Sequence, residues 1–199
     1  MDKIKFIVFE GIDGCGKSTQ IKKIIAYLFD KNKHTHIVLT RNPYKDVNIR
    51  PILLKDTDPM KKSSLLADLF IADRRKHAQD LILPNIKKNH LVICDRYMLS
   101  TIAYQGAQGI DMQELMNKQK DLPKPDITFV IDVPAKIATS RMKKELSRKE
   151  HKFEANLKFL EKTRQNYLKL TKQKVFKNIF IVDGTQKPEE VFTNIIKHL

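Results

Sequence analysis

Long apolar runs are missing from this 199-residue chain. Nothing approaches the roughly 20 consecutive apolar residues that a membrane span requires. The start, "IKFIVFEGI", lacks the small-residue cleavage site of a secretory leader. A soluble protein with no membrane partner is expected. Cysteine is scarce. Cys15 and Cys94 lie in unrelated segments without zinc-ligand spacing, which points to a reducing, cytoplasmic setting rather than a disulfide scaffold. The histidines are scattered and read as solvated or capping residues. No internal repeat, low-complexity tract or linker interrupts the chain, and its length suits a single domain over residues 1–199 with a sizeable core.

Acidic residues are also short, 23 Asp and Glu against 38 Lys and Arg, so the net charge is +15. Such a balance suits either nucleic acid or phosphorylated small molecules. RNP aromatics, a zinc finger and a long basic arm are all absent. The lysines therefore read as solvated helix faces, with no nucleic-acid partner. Glycine is scarce as well, with six in the chain, yet Gly11, Gly14 and Gly16 crowd one stretch, "FEGIDGCGKST" at 9–19.

What is present is alternation. Short β-rich apolar runs, "KIKFIVFE", "HIVLT", "HLVICD", "DITFVID" and "NIFIVDG", are separated by helical patterns. The stretch "KKSSLLADLFIADRRKHAQDLILPNIKK" reads as one long helix or two. This order predicts an α/β fold with a five-stranded parallel sheet covered by helices on both faces. Ligands of such sheets bind beyond the carboxyl ends of the strands. Four of the five runs end near Glu10, Thr40-Arg41, Asp95-Arg96 or Asp183-Gly184.

The glycine-rich stretch matches GxxxxGK[ST], directly after a strand and opening a helix. Glycines let backbone N–H groups turn inward as a nest for phosphate oxygens, and the helix adds its positive N-terminal end. Gly11, Ile12, Asp13, Gly14, Cys15, Gly16, Lys17, Ser18 and Thr19 are the expected nucleotide-binding turn of a P-loop NTPase fold. Lys17 can reach the β- and γ-phosphates, and Ser18 can ligate Mg2+. An NKxD-type guanine motif is absent, which leaves ATPases and ATP-dependent kinases.

Four ordered stretches narrow the choice: "FEGIDGCGKSTQ", "LFIADR", "DRYMLSTIAYQG" and "FEANLKFLEKTRQNYLKL". Together they resemble the thymidylate kinases, P-loop enzymes that phosphorylate dTMP to dTDP with Mg-ATP. Phe70 and Arg74, four apart, share a helix face and suit a base-stacking ring and a guanidinium that reaches the base and a nearby phosphate. Asp95 at a strand end can hold Mg2+ through water, and Arg96 can neutralise phosphate charge. The resemblance implies thymine contacts from Ser100 and Gln105, a ring from Tyr104 against the deoxyribose, and a sugar 3′-hydroxyl contact from Asp13. It also implies a homodimer and adenine-lining backbone in "VDGTQKPEEV". Glu10 matches the pattern without an assigned role.

The segment "TRNPYKDVNIRPILL" departs from the family, where bacterial-type relatives read TREPGGT. Arg41 and Pro43 remain, and Arg41 is the candidate for the acceptor phosphate. Asn42 replaces glutamate, Tyr44-Lys45 replaces the glycine pair, and the loop that follows is shorter. A kinase for another deoxynucleotide or deoxynucleoside therefore stays open, as does, more remotely, a basic nucleic-acid-binding ATPase. A mobile lid is expected over about 141–153, with Arg141, Arg148 and Lys149 as cations and Arg148 as the catalytic one. Gly14 leaves the P-loop without a cation of its own there. Arg164 and Tyr167 read as packing residues.

Overall fold

A computed structural model describes residues 4–55, 58–144, 156–173 and 175–199. Its centre is a five-stranded parallel sheet in the order β2-β3-β1-β4-β5. The strands are β1 (Phe6–Glu10), β2 (Ile37–Arg41), β3 (Leu91–Asp95), β4 (Ile127–Asp132) and β5 (Ile179–Asp183). β1 is buried along its whole length because it is central and covered on both faces. β2 and β5 are edge strands and expose Leu39 and Ile181.

The helices are α1 (Lys17–Lys31), α2 (Ile49–Lys55), α3 (Ser63–His77), α4 (Leu83–Lys87), α5 (Met98–Ala107), α6 (Met112–Asn117), α7 (Ala135–Lys143), α8 (Leu157–Thr171) and α9 (Pro188–Ile196). Alternation along β1 divides the core. Ile7 and Phe9 join a cluster that includes Ile24 of α1 and Ile195 of α9. Phe6 and Val8 face the other way, toward Ile82, Tyr97 and Met98. Removing one such side chain, as in Ile24→Ala, costs about 2–5 kcal/mol.

All five expected strands are present within a few residues of their predicted ends. The stretch read as one long helix or two is a helical path with a π turn, Ala78–Ile82, between α3 and α4. The cause is Pro84, which has no N–H for the carbonyl of Asp80. The ladder widens instead, and the Leu83 N–H bonds to the carbonyl of Ala78. α2 and α5 were not assigned from periodicity. α5 is buried almost all round, so it shows no polar stripe to reveal its period.

The fold sets the site through register. Arg41 pairs with Asp95, Asp95 with Phe9, and Glu10 with Val130. The carboxyl ends of β2, β3, β1 and β4 therefore lie side by side, with the glycine-rich turn leaving β1 in the middle.

Candidate active site

The turn between β1 and α1 is built on backbone that only glycine adopts easily. Gly16 has φ +101 and stands at the N-cap of α1, with no side-chain cap. The first-turn N–H groups of α1 are thus left to other partners. Gly14 has φ +77, and a Cβ there would meet the carbonyl of Ala138 and, at 2.8 Å, Cγ of Met142. α7 lies against the turn so closely that no side chain fits at position 14.

Lys17 is 6% exposed and folds back over this turn. Its ammonium donates to the carbonyls of Gly11 at 3.1 Å and Ile12 at 3.0 Å and lies 3.6 Å from Cys15 Sγ. Ser18 and Thr19 are exposed at the start of α1.

Beside the turn stands Arg96. Its φ is +69, left-handed for a residue with a side chain, a conformation that costs about 1–2 kcal/mol. The neighbours hold it there. The Arg96 N–H donates to the carbonyl of Phe9 at 2.8 Å. Nη1 reaches the Gly11 carbonyl at 3.0 Å, Ser100 Oγ at 3.2 Å and the Tyr167 hydroxyl at 3.4 Å. Nη2 donates to Asp13 Oδ1 at 2.7 Å and to the Tyr104 hydroxyl at 3.3 Å. Burial alone would lower the pKa of Arg96, but Asp13, Tyr104, Tyr167 and Asp95 together raise it well above the usual value. The guanidinium is permanently charged and already aimed.

Asp13 closes the ring. Its Oδ2 accepts from the Tyr104 hydroxyl at 2.8 Å, and its N–H donates back to that oxygen at 3.2 Å. Burial pushes the Tyr104 and Tyr167 phenols well above their usual pKa, so both stay protonated donors.

Glu10 now has a task. Fully buried, its carboxylate accepts from the N–H groups of Tyr97 at 2.8 Å and Ser100 at 3.2 Å, and from Ser100 Oγ at 2.5 Å. Tyr97 is the N-cap residue of α5 and makes no side-chain cap bond. The strand carboxylate therefore satisfies the helix's orphan N–H groups and its positive end. The signal was in the sequence, as an acid closing a wholly apolar strand. Ser100 and Tyr167 belong to the same cluster, with their hydroxyls 2.8 Å apart. The base contact expected of Ser100 thus competes with its bond to Glu10. Tyr167 packs as expected, and its hydroxyl also lies 3.1 Å from Glu10.

Phe70 is half-buried on α3. Arg74, one turn on, is 1% exposed, with Nη1 on Gln119 Oε1 and its cation 5.6 Å above the Tyr97 ring. Burial lowers its pKa. Among the described residues, the buried polar side-chain atoms that make no hydrogen bond include Arg74 Nε, Asp95 Oδ1, Thr101 Oγ1 and Gln105 Oε1. Unpaired buried atoms of this kind cost about 1–3 kcal/mol each, and a polar ligand would relieve that cost.

Arg41 is exposed at the end of β2. The altered loop after it hangs on Asp73, which sequence reasoning missed. This 5%-exposed carboxylate accepts from the N–H groups of Tyr44, Lys45 at 2.8 Å and Asp46 at 2.9 Å. Its signal is an acid three residues after Phe70, on the buried side of α3. Arg141, expected as a lid cation, lies in the last turn of α7 and donates to the Gly184 carbonyl at 2.9 Å, on the loop expected to line adenine. Arg164 is a bidentate partner of Asp132, at 2.6 and 2.9 Å. Arg148, Lys149 and the body of the lid lie outside the described residues.

The central parallel sheet, the glycine turn after its middle strand and the helix that follows define the P-loop NTPase fold. Within that fold the chain belongs to the thymidylate kinase family, whose model matches residues 9–195. It is 41% identical to the thymidylate kinase of Thermosipho africanus, over 96% of this chain and 94% of that one. It is 38% identical to probable thymidylate kinase 1 of Saccharolobus solfataricus, with 97% and 95% covered. It is 38% identical to the probable thymidylate kinase of Pyrococcus abyssi, with 96% and 93% covered.

Proposed function

We propose that this chain, a single kinase domain over residues 1–199, transfers the γ-phosphoryl group of ATP to dTMP, giving dTDP and ADP. Family membership supports the reaction. The observation that carries the site assignment is Arg96, charged, strained and held by Asp13 and Tyr104 beside the phosphate-binding turn.

In this reading residues 11–19 wrap the ATP phosphates, and Lys17 exchanges its carbonyl partners for β- and γ-oxygens. Arg41 draws in the acceptor phosphate. Phe70 stacks on the thymine, Arg74 and Gln105 bond its edge, Tyr104 packs on the deoxyribose, and Asp13 accepts from the 3′-hydroxyl. Ser100 orients Arg96 and contacts the base. The attacking oxygen is already anionic, so no strong base is needed. Arg41 aligns the acceptor phosphate on capture, and charge neutralisation by Lys17, Arg96 and the lid's Arg148 carries the rate. Magnesium, when bound, neutralises phosphate charge, and Ser18 and Asp95 are the residues that would hold it. The unpaired, buried Asp95 Oδ1 fits an ion taken up through water.

We further read the protein as a cytoplasmic homodimer that binds neither membrane nor nucleic acid. Two free, buried cysteines support the compartment, and exposed Leu54 on α2 and Leu65 on α3 support the dimer. Light scattering on the purified protein tests the dimer. ATP consumption measured over a panel of nucleotides tests the function. Stimulation by dTMP is expected. Stimulation by a different deoxynucleotide alone, or by DNA or RNA alone, would overturn the assignment.

A further inference from the structure

We propose that Asn42 is a positioning residue, which clamps the Asp95–Arg96 backbone in its working shape, and that His77 braces the Asn42 amide through its oxygen. The proposal rests on the reading of Arg96 as the cation that meets the transferring phosphoryl group.

Asn42 is the first residue past β2 and is 3% exposed. It grips the neighbouring strand end twice. Its N–H donates to the Asp95 carbonyl at 3.0 Å, and its Nδ2 donates to the Arg96 carbonyl at 2.9 Å. Cys94 Sγ, 3.1 Å away, donates to the same carbonyl. The residue held by these bonds has φ +69. A left-handed residue with a side chain persists only where its surroundings over-determine it. Asn42 reaches across from the end of β2 to both Asp95 and Arg96.

The amide's orientation follows from what each partner can do. The Arg96 carbonyl only accepts, so the amide atom facing it is the NH2 group. The oxygen then faces His77 Nδ1, 3.3 Å away, and an amide oxygen only accepts. His77 therefore carries its proton on Nδ1. Nε2 is left to accept from Thr40 Oγ1 at 2.8 Å. His77 is fully buried, and Tyr44 stacks on its ring with centroids 4.4 Å apart. The result is a directed chain, Thr40 to His77 to Asn42 to the carbonyl of Arg96. It runs from the last residues of β2 to the backbone that follows β3.

This ties two oddities together. Asparagine stands where the related sequence pattern carries glutamate, and a carboxylate has no proton to give to the Arg96 carbonyl. Tyr44, which replaces a glycine of that pattern, covers the histidine that braces the amide. The departure that left the loop hard to place in the sequence is, in this chain, the support of Arg96.

Asn42→Asp tests the clamp, because it keeps the size of the side chain and removes the donor. Displacements near 1 Å cost about a hundredfold in rate, so kcat for dTMP-dependent ADP formation should fall by about ten- to a hundredfold. The KM for ATP should stay within about twofold, since the Asn42 bonds go to residues 77 and 94–96 and not to the glycine turn or Lys17. The decisive readout is a double-mutant cycle with Arg96→Ala, measured in single turnover at high enzyme concentration. With the guanidinium gone, Asn42→Asp should cost less than about threefold more. A folded Asn42→Asp protein that keeps wild-type kcat, or a loss of equal factor in both backgrounds, overturns the proposal. Should Asn42→Asp not fold, His77 reads the chain from its other end. His77→Asn can place an amide N–H near Nδ1, whereas His77→Gln mimics Nε2. A kcat loss in the Gln variant that the Asn variant largely restores supports the clamp, and equal losses overturn it. The proposed function fails separately, through wild-type protein that does not turn over dTMP. An Arg96→Ala protein as active as wild type overturns both.

Discussion

Two arginines mark the ends of neighbouring strands and have opposite surroundings. Arg41 closes β2 and is exposed to solvent. Arg96 follows β3 and is bonded to Gly11, Asp13, Ser100, Tyr104 and Tyr167. Register makes them close relations, since Arg41 pairs with Asp95, the residue before Arg96. The difference separates two uses of positive charge. A solvated, unconstrained guanidinium can meet an incoming dianion early and follow it. A largely enclosed, bonded one pays its ordering cost on folding and has nothing to reorganise when charge develops. Arg41 is thus suited to capture and Arg96 to the transition state.

Both roles require phosphate groups to come to the turn, and Lys17 decides that. Lys17→Ala should leave the fold intact and reduce phosphoryl transfer to background. A folded variant with near wild-type turnover would remove the phosphate site on which both arginines depend.

Binding of the base should divide from binding of ATP. Phe70→Ala should weaken dTMP binding by about 1–3 kcal/mol, the usual worth of a base–aromatic stack. ATP affinity should stay nearly unchanged. Equal losses for both ligands in calorimetric titrations would make Phe70 a core residue. Tyr104 sharpens the same side of the site. A ribonucleotide TMP should be a poorer acceptor than dTMP, because its 2′-hydroxyl crowds a ring fixed to Asp13 and Arg96. Equal kcat/KM for the two would contradict that role.

The smallest effect concerns the support of Arg96. Burial pushes the pKa of His77 down to about 4 from 6.5, with Asp73 and Asp80 pulling it up and Arg74 pushing it down. The unfolded chain therefore takes up the proton first. The stability that His77 contributes is complete above pH 6.5 and is lost as pH falls toward 4. Thermal midpoints should drop across that window, and less steeply in His77→Gln. Equal slopes in the two proteins would argue against a buried neutral imidazole.

Much of this architecture was legible in the sequence because it obeys local rules. β1, β3 and β4 are unbroken apolar runs, and the glycines of residues 11–16 announce a backbone that other residues avoid. The helix α5 was not legible as a helix, since burial on every side erased its period. The π turn before Pro84 was a matter of one missing N–H in a long pattern. At the site, residue types were legible but partners were not. Glu10 capping α5, Asp73 holding three N–H groups and Asn42 reaching across to β3 join residues 27 to 90 positions apart. No local spacing encodes such contacts; the parallel register of the strands creates them.

Arg96 should act in the transition state and Arg41 in capture. Steady-state kinetics of dTMP-dependent ADP formation, for Arg96→Ala and Arg41→Ala side by side, separate the two roles. Loss of one preorganised donor costs about 10²–10³ in kcat, so Arg96→Ala should fall by that factor with a much smaller change in the KM for dTMP. Arg41→Ala should mainly raise that KM, about tenfold, as expected for a lost uniform binding contact. The opposite split, with kcat intact in Arg96→Ala and only the KM raised, would contradict the account.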